Sequence, residues 1–577
     1  MWPGMDAFMG LSSYWNARLN PIITVEQCWP DAPPMPLAYA QGDHLVRKYH
    51  NVVMGWSWFL FGDEAGDMYD GPGDIERALA RMMGHSADGI HHWLYSPLYR
   101  SRHVQQRSQL AYWHNFLATH YATFLARSSP PRAEVAILMP DWTGYYYRLY
   151  GYPKMDYAYT AAALNEAQIP YEIVAEEELE LEESALAPFK VLYVAGSEWT
   201  TPTIRRRIEK FIAGGGHVFA NADSLSLDIP SGKRTEFLAE TFGVGIGHKY
   251  KVPFYPSVET AEEESWSAEL TAGDSPMNFQ LHTLHKPHVY SKLWKEVGDK
   301  VVADEDGWKK VDLMMSHMPR KGRGGMPQSP VDLRKFPQIE FAKHIAPQSL
   351  PTHHEIVTGK VTRGKPIAWH DGNVCGVETD RTLWLGIRPG MSMHALAPRI
   401  TLSRTMEPCN PFLPNVSSDY ATHKSYVDLL TYAARKAGVR PPVTIRSKGE
   451  VPCNLEVLPR VDRKGNLMVV VINHDQTQTT YDVTVDPTTL RTKKIESSAV
   501  AWDLLRSKPV KQTGPGKFRL EVAAYRVAIF YLGSEQVLGP IKDAQAKLDA
   551  RDLSIPDYFK QHPELNREMF NTPIPGN

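Results

Sequence analysis

The chain has 577 residues, too many for one core, and at about 150 residues per unit it suggests three or four. A composition of 43% apolar and 22% charged residues is that of an ordinary globular protein and excludes a disordered one. The 63 basic side chains balance 65 acidic ones, for a formal charge of -2, which argues against nucleic acid or an anionic membrane as the main partner.

The opening run Ile22-Ile23-Thr24-Val25-Glu26-Gln27-Cys28-Trp29-Pro30 has the β-branched character of a buried strand and delivers one carboxylate to its end. In α/β barrels catalytic groups stand where such strands stop. A strand-ending glutamate is also commonly a plain solvated residue. A Pro-rich connector over 31–36 and a helix over Ala38 to Tyr49 follow. A second apolar run, Val52 to Phe61, ends in Gly62-Asp63-Glu64. Asp74 then caps a helix whose apolar face is Ile75, Leu79, Met82 and Met83, and Gly89 to Tyr95 reads as another strand. Strand, helix, strand, helix, strand is the order of a parallel α/β sheet. A closed (β/α)8 barrel needs about 250 residues. Residues 1–128, ending in a long helix from Val104 to Arg127, therefore read as half a barrel.

Pro130-Pro131-Arg132 is a natural linker into a second unit, 129–446. Strands are expected at Glu134–Met139, Tyr171–Val174, Phe189–Ala195 and His217–Ala220, with helices around Tyr157–Ala167 and Thr201–Ala213, the pattern of a doubly wound sheet of flavodoxin or amidotransferase type. The acidic run Glu176 to Glu183 reads as a solvated loop or helix surface. Gly214-Gly215-Gly216 lies after a helix and before a strand, the reverse of a phosphate loop, and fits a helix C-cap. Residues 245–360 look like an irregular insertion. The sheet is expected to resume at Pro366–Trp369, Val374–Val377 and Thr382–Gly386, and to close with a helix over Ser425–Ala437.

From 447 to 534 only strands are expected, among them Asn466–Asn473, Tyr481–Val485, Ala499–Asp503 and Tyr525–Tyr531, making a small antiparallel β-sandwich. A charged tail, 535–577, carries one helix near Ile541 to Ala550. The fold class is thus α/β multidomain: a partial (β/α)8 barrel, a flavodoxin- or amidotransferase-like sheet, and a β-sandwich.

Cys28, Cys375, Cys409 and Cys453 form no C-x-x-C pair, so neither a disulfide framework nor a zinc site is expected, and a reducing, cytoplasmic location is favoured. No apolar run of about 18 residues and no signal-peptide pattern is present, so no membrane partner is expected. The histidines, His353-His354 included, lack metal-ligand spacing, and no metal or other cofactor is expected. Amidotransferase or peptidase chemistry in the second unit would need a nucleophile elbow. The nearest turn, Ala195-Gly196-Ser197-Glu198-Trp199, lacks the second glycine and any cysteine.

The order of these units resembles the β-galactosidases of glycoside hydrolase family forty-two. Glu26-Gln27-Cys28-Trp29-Pro30 is similar to the family's nucleophile phrase. The stretch from Ala80 through Ala87-Asp88-Gly89 to Trp93 is similar to its following helix and strand. Phe189–Ala195 and Phe211–Ala220 look like its trimerisation domain, and Ala501-Trp502-Asp503-Leu504-Leu505 and Ala524-Tyr525-Arg526-Val527-Ala528 like its closing β-domain. The resemblance covers most of the chain apart from residues 245–360 and the tail. It implies a retaining hydrolysis of β-glycosides with Glu26 as nucleophile, a carbohydrate substrate and a homo-oligomer, a trimer in this family. Trp29, Trp58, His92 and Trp93 are then the sugar contacts, indoles stacking on C–H faces of the ring. The same aromatic residues suit core packing equally well, and of His91 and His92 only one can face the barrel interior.

Two departures accompany the resemblance. The family's acid/base stands in an Asn-Glu context on an earlier strand, and no Asn-Glu precedes Glu26; Asn165-Glu166 lies on a helix of the second unit. The expectation is an N-terminally truncated hydrolase lacking its acid/base, or a non-catalytic carbohydrate-binding or oligomerisation module. The distance from Glu26 to Ala87-Asp88-Gly89 is also long, which makes Glu64 the alternative nucleophile.

Overall fold

The computed structural model describes residues 4–5, 22–27, 52–58, 74–85, 89–93, 115–116, 118–120, 124–146, 152–251, 336–346, 348–352, 355–396, 420–452, 455–473, 480–488, 499–523 and 526–550. Trp29, Glu64, the expected helix over 38–49, most of that over 104–127 and the end of the tail lie outside them.

The first unit is a four-stranded, wholly parallel sheet in chain order: β1 (Gly4–Met5), β2 (Ile22–Gln27), β3 (Val52–Trp58) and β4 (Gly89–Trp93). Helix α1 (Asp74–Gly84) connects β3 to β4, and its Leu79, Met82 and Met83 are buried as their spacing predicts.

After the short β5 (Ser128–Ser129), the second unit is built on a nine-stranded sheet. Its parallel part consists of β6 (Val135–Met139), β7 (Tyr171–Ala175), β8 (Val191–Val194), β10 (His217–Asn221) and β18 (Thr382–Leu385), ordered β7-β6-β8-β10-β18. Counted along the chain this order is 2-1-3-4-5. Antiparallel strands β17 (Asn373–Glu378), β16 (Lys365–His370), β13 (Gln338–Phe341) and β14 (Leu350–Pro351) extend it beyond β18. The sheet therefore resumes at Gln338, earlier than Pro366, because β13 and β14 are too short to show a period. Two small pairs flank it: β9 (Trp199–Thr200) with β11 (Leu227–Asp228), and the ribbon of β12 (Val244–Lys251) with β15 (Glu355–Val361).

Both faces of this sheet are covered, which is why its strands read as unbroken apolar runs. Val135, Ile137, Met139 and Tyr193 join one core with α3 (Tyr152–Glu166) and α7 (Tyr420–Lys436). Ala136, Leu138, Leu192 and Val194 join the other with Ile204 and Ile208 of α5 (Pro202–Ala213). Thr201 caps α5, its hydroxyl accepting from the Ile204 N–H at 3.2 Å. The positive φ after that helix falls on Gly215, at 97°. Helices α2 (Asp141–Tyr146), α4 (Glu176–Leu181) and α6 (Pro389–Leu396) complete the unit. The acidic run is not a solvated surface at its start: Glu176, Glu177 and Glu178 are all buried, because α4 begins directly at the end of β7, inside the edge of the sheet.

The C-terminal strands form two sheets around a shared core. One is β19 (Val443–Arg446), β22 (Thr480–Val485), β26 (Lys517–Glu521) and β25 (Lys511–Gly514). The other runs β24 (Lys508–Pro509), β23 (Val500–Asp503), β27 (Val527–Gly533), β21 (Leu467–Asn473), β20 (Leu455–Asp462) and β5. Helix α8 (Glu535–Asp549) starts earlier than Ile541 and packs inward through Leu538, Ile541 and Leu548. Gln545 meets His120 at 2.8 Å, and the Lys542 ammonium lies 4.0 Å over the Trp502 ring.

Candidate functional site

Parallel strands end on the same side, so the C-terminal edge of the four-stranded sheet collects the expected site residues by backbone position alone. Glu26 is paired in register with Trp56, and Trp56 with His91. The next row is Gln27, Ser57 and His92; the one after pairs Trp58 with Trp93, the last residues of β3 and β4. Rows alternate between the two faces of a sheet. Glu26, Trp56, His91, Trp58 and Trp93 thus occupy rows of one face, and His92 occupies a row of the other. Glu26 is the single carboxylate among the described strand residues of this sheet. Trp29 lies outside the described residues.

The edge of the nine-stranded sheet holds a charge cluster that the sequence did not single out. Glu198 follows β8, Asp223 follows β10, Arg388 follows β18 and Glu355 opens β15. The Arg388 Nε donates to Glu355 at 2.7 Å, and its Nη2 donates to Asp223 at 3.0 Å and to Glu198. Lys249 of β12 bridges Asp223 at 3.0 Å and Glu355 at 2.7 Å. Arg388, Glu198, Asp223 and Glu355 are buried, while the Lys249 side chain is 36% exposed and faces solvent. Burial alone disfavours the Arg388 charge, but Glu355, Glu198 and Asp223 outweigh it and raise its pKa well above the ordinary value. Oxygens of the three carboxylates lie within 4.8 Å of one another, a spacing suited to a cation, and the cations that fill it are Arg388 and Lys249.

Beside this cluster Asp156 of α3 accepts from the Met391 N–H at 3.0 Å and from Asn221. Burial pushes its carboxyl up to about 6 against the pull of Arg388 and these hydrogen bonds. Ala222 and Leu225, at φ 44° and 62°, hold the loop after β10 in the left-handed region, and the buried Trp384 indole fixes it by donating to the Ala222 carbonyl at 2.7 Å.

The turn after β8 does not form a nucleophile elbow. Its positive φ, 86°, falls on Gly196 and not on Ser197, and Ser197 is fully buried. The neighbouring Glu176 accepts from the Trp142 N–H at 2.6 Å. Burial raises its pKa well above the ordinary value, Ser197 and Trp142 oppose the shift, and the charges of Asp141 and Glu177 add to it. A signal for the charge cluster does exist in the sequence: each charged residue of the three loops stands two to four positions past an apolar strand run.

No protein-family model and no curated protein matches the sequence. Solved structures do. The β-galactosidase from Bacillus circulans sp. alkalophilus aligns over 92% of this chain and 63% of its own, with 12% identity and a TM-score of 0.51. Gan42B, a GH42 β-galactosidase from G. stearothermophilus, aligns over 91% of this chain and 61% of its own at 10% identity and a TM-score of 0.54. The chain carries the fold of the family forty-two β-galactosidases. It spans less than two thirds of the length of either enzyme. α-L-Fucosidase isoenzyme 2 from Paenibacillus thiaminolyticus shares the fold as well, at 11% identity over 92% of this chain and 67% of its own, with a TM-score of 0.52. No helix among the described residues is long and apolar enough to cross a membrane.

Proposed function

We propose that this protein acts on β-glycosides as a retaining hydrolase of the β-galactosidase type, with Glu26 as the attacking carboxylate, Trp29, Trp58 and Trp93 as sugar contacts, and a histidine of β4 beside them, His92 or, in the row of Glu26, His91. Residues 1–128 are then the C-terminal part of the glycosidase barrel, 129–446 an amidotransferase-like, flavodoxin-ordered oligomerisation domain, and 447–534 a β-sandwich. The observation that supports this reading best is the placement of Glu26 one residue from the C-terminal end of β2, level with Trp56 and His91 on parallel neighbours, in a chain with the fold of such enzymes.

In a retaining reaction Glu26 attacks the anomeric carbon as a second carboxyl group, about 5–5.5 Å away, protonates the leaving oxygen; water then releases the sugar from the glycosyl-enzyme. No described strand of the four-stranded sheet supplies that second carboxyl, since Glu26 is alone there. This favours one other reading, a non-catalytic carbohydrate-binding or oligomerisation module. The test is hydrolysis of an aryl β-galactoside by the wild-type chain and by Glu26→Gln. Turnover that disappears in the variant supports the hydrolase, turnover that survives it and disappears in Glu64→Gln moves the nucleophile to Glu64, and galactoside affinity without turnover supports the module. A parallel pair, His91→Ala and His92→Ala, decides which face of β4 meets the sugar. A trimer in sedimentation would accord with the proposed second domain; a monomer would remove that part of the reading.

A further inference from the structure

Helix α1 is held by the C-terminal β-unit at both ends. Its Arg81 reaches the C-terminal β-unit, where Nε donates to Glu456 of β20 at 2.8 Å and Nη2 donates to the other carboxylate oxygen, with both side chains almost wholly buried. Five residues earlier, Glu76 accepts from the Val527 N–H at 2.7 Å and pairs with Arg526 at 3.1 Å. At the end of the helix a Cβ on Gly84 would fall 2.5 Å from the Leu458 side chain, so the backbone itself lies against β20. Two anchors five residues apart span about 7.5 Å of helix. They fix both its rotation and its axial position.

Glu456 also lies close enough to Tyr171 of β7 for its charge to act on that phenol. It therefore stands where all three units meet. His85, next along the same face, is held neutral by burial, down to about 3, with Glu456 opposing the shift and Arg81 and Arg460 adding to it. Around this point Arg77, Arg81 and Arg460 are all buried. A buried bidentate pair adds little net stability over apolar residues of the same volume, and its two parallel hydrogen bonds are directional.

We propose that Arg81 and Glu456 are positioning residues for the carbohydrate site: their ion pair locks α1 to the β-unit and so holds the β3–α1–β4 segment, with Trp58 and Trp93 at its strand ends, in the binding arrangement. The inference rests on the proposed function for its substrate and on the interdomain contacts for its geometry. The C-terminal β-unit is then part of what shapes the site, although it supplies no group to the sugar.

The decisive variant is the double replacement Arg81→Met with Glu456→Met, which removes both charges and keeps the volume. Its cooperative unfolding is to be checked first, with Arg81→Lys as a conservative partner that retains the charge. The expected result is a KM for the aryl β-galactoside, or a Kd for galactose if there is no turnover, raised about tenfold or more, with kcat changed less. Amide exchange in 52–58 and 89–93 is expected to accelerate, and Arg81→Lys to recover part of both effects. A folded double variant with wild-type KM or Kd and unchanged exchange in those strands would overturn the proposal. If the wild-type chain neither cleaves nor binds galactosides, the exchange measurement still decides whether the pair orders the strands, so the two readings fail separately.

Discussion

At the C-terminal edge of the four-stranded sheet Glu26 pairs with Trp56, in a row that continues to His91, and the described strand residues include no lysine or arginine, whereas at the same edge of the nine-stranded sheet Glu198, Asp223 and Glu355 close on Arg388 and Lys249. Both are places where open or closed parallel sheets carry ligands. The difference lies in what the carboxylates already bind. In the second unit their oxygens are spent on internal cations, so the edge is a lock between loops. In the first, Glu26 is the single charged residue among the described strand positions.

The comparison breaks most visibly at its extremes. Glu26→Gln is expected to lower aryl β-galactoside turnover by about 10³-fold or more, as the loss of an attacking group does; an unchanged rate would leave Glu26 no more functional than the locked carboxylates. Arg388→Met should instead act on stability. It removes the cation on which three buried carboxylates converge, at a cost of about 3–5 kcal/mol. Urea unfolding measures it, and a loss below about 1 kcal/mol would mean that the cluster is looser than its distances imply.

A smaller effect follows from Asp156. Its folded pKa, about 6, lies above the ordinary 3.8, so the folded form holds the proton more tightly than the unfolded chain. Stability is therefore highest below about pH 4 as far as this group is concerned, and falls as pH rises from about 4 to 6, by on the order of 2–3 kcal/mol. The slope of unfolding free energy over that window should flatten in Asp156→Asn. A wild-type slope in the variant would show that another group carries the titration.

Much of this architecture is legible in the residues, for identifiable reasons. The runs Val135–Met139 and Val191–Val194 are apolar without alternation because both faces of the sheet are covered, and they read directly as parallel core strands. The helix beginning at Thr201 and the face of α1 with Leu79, Met82 and Met83 were equally plain. Glu26 could be placed at a strand end from β-branched residues alone. What could not be read is tertiary. The burial of Glu176 depends on where α4 starts relative to the sheet edge, the convergence of Glu198, Asp223, Glu355 and Arg388 joins positions up to 190 residues apart, and the choice between His91 and His92 depends on a register that one strand's sequence does not contain. Short strands such as β13 and β14 escape because two to four residues cannot establish a period.

The finest discrimination separates two buried carboxyls of the same sheet edge. Glu176 sits against other acids, and burial holds its pKa well above the ordinary range, which favours the protonated form that glutamine mimics in shape and charge. Glu198 is ionised against Arg388. Glu176→Gln is therefore expected to change the unfolding free energy at pH 7 by less than about 1 kcal/mol, because the amide can still accept from the Trp142 N–H. Glu198→Gln removes one of the three charges around Arg388 and should cost more, about 2–3 kcal/mol. Equal losses in the two variants would mean that Glu176 is charged in the folded protein.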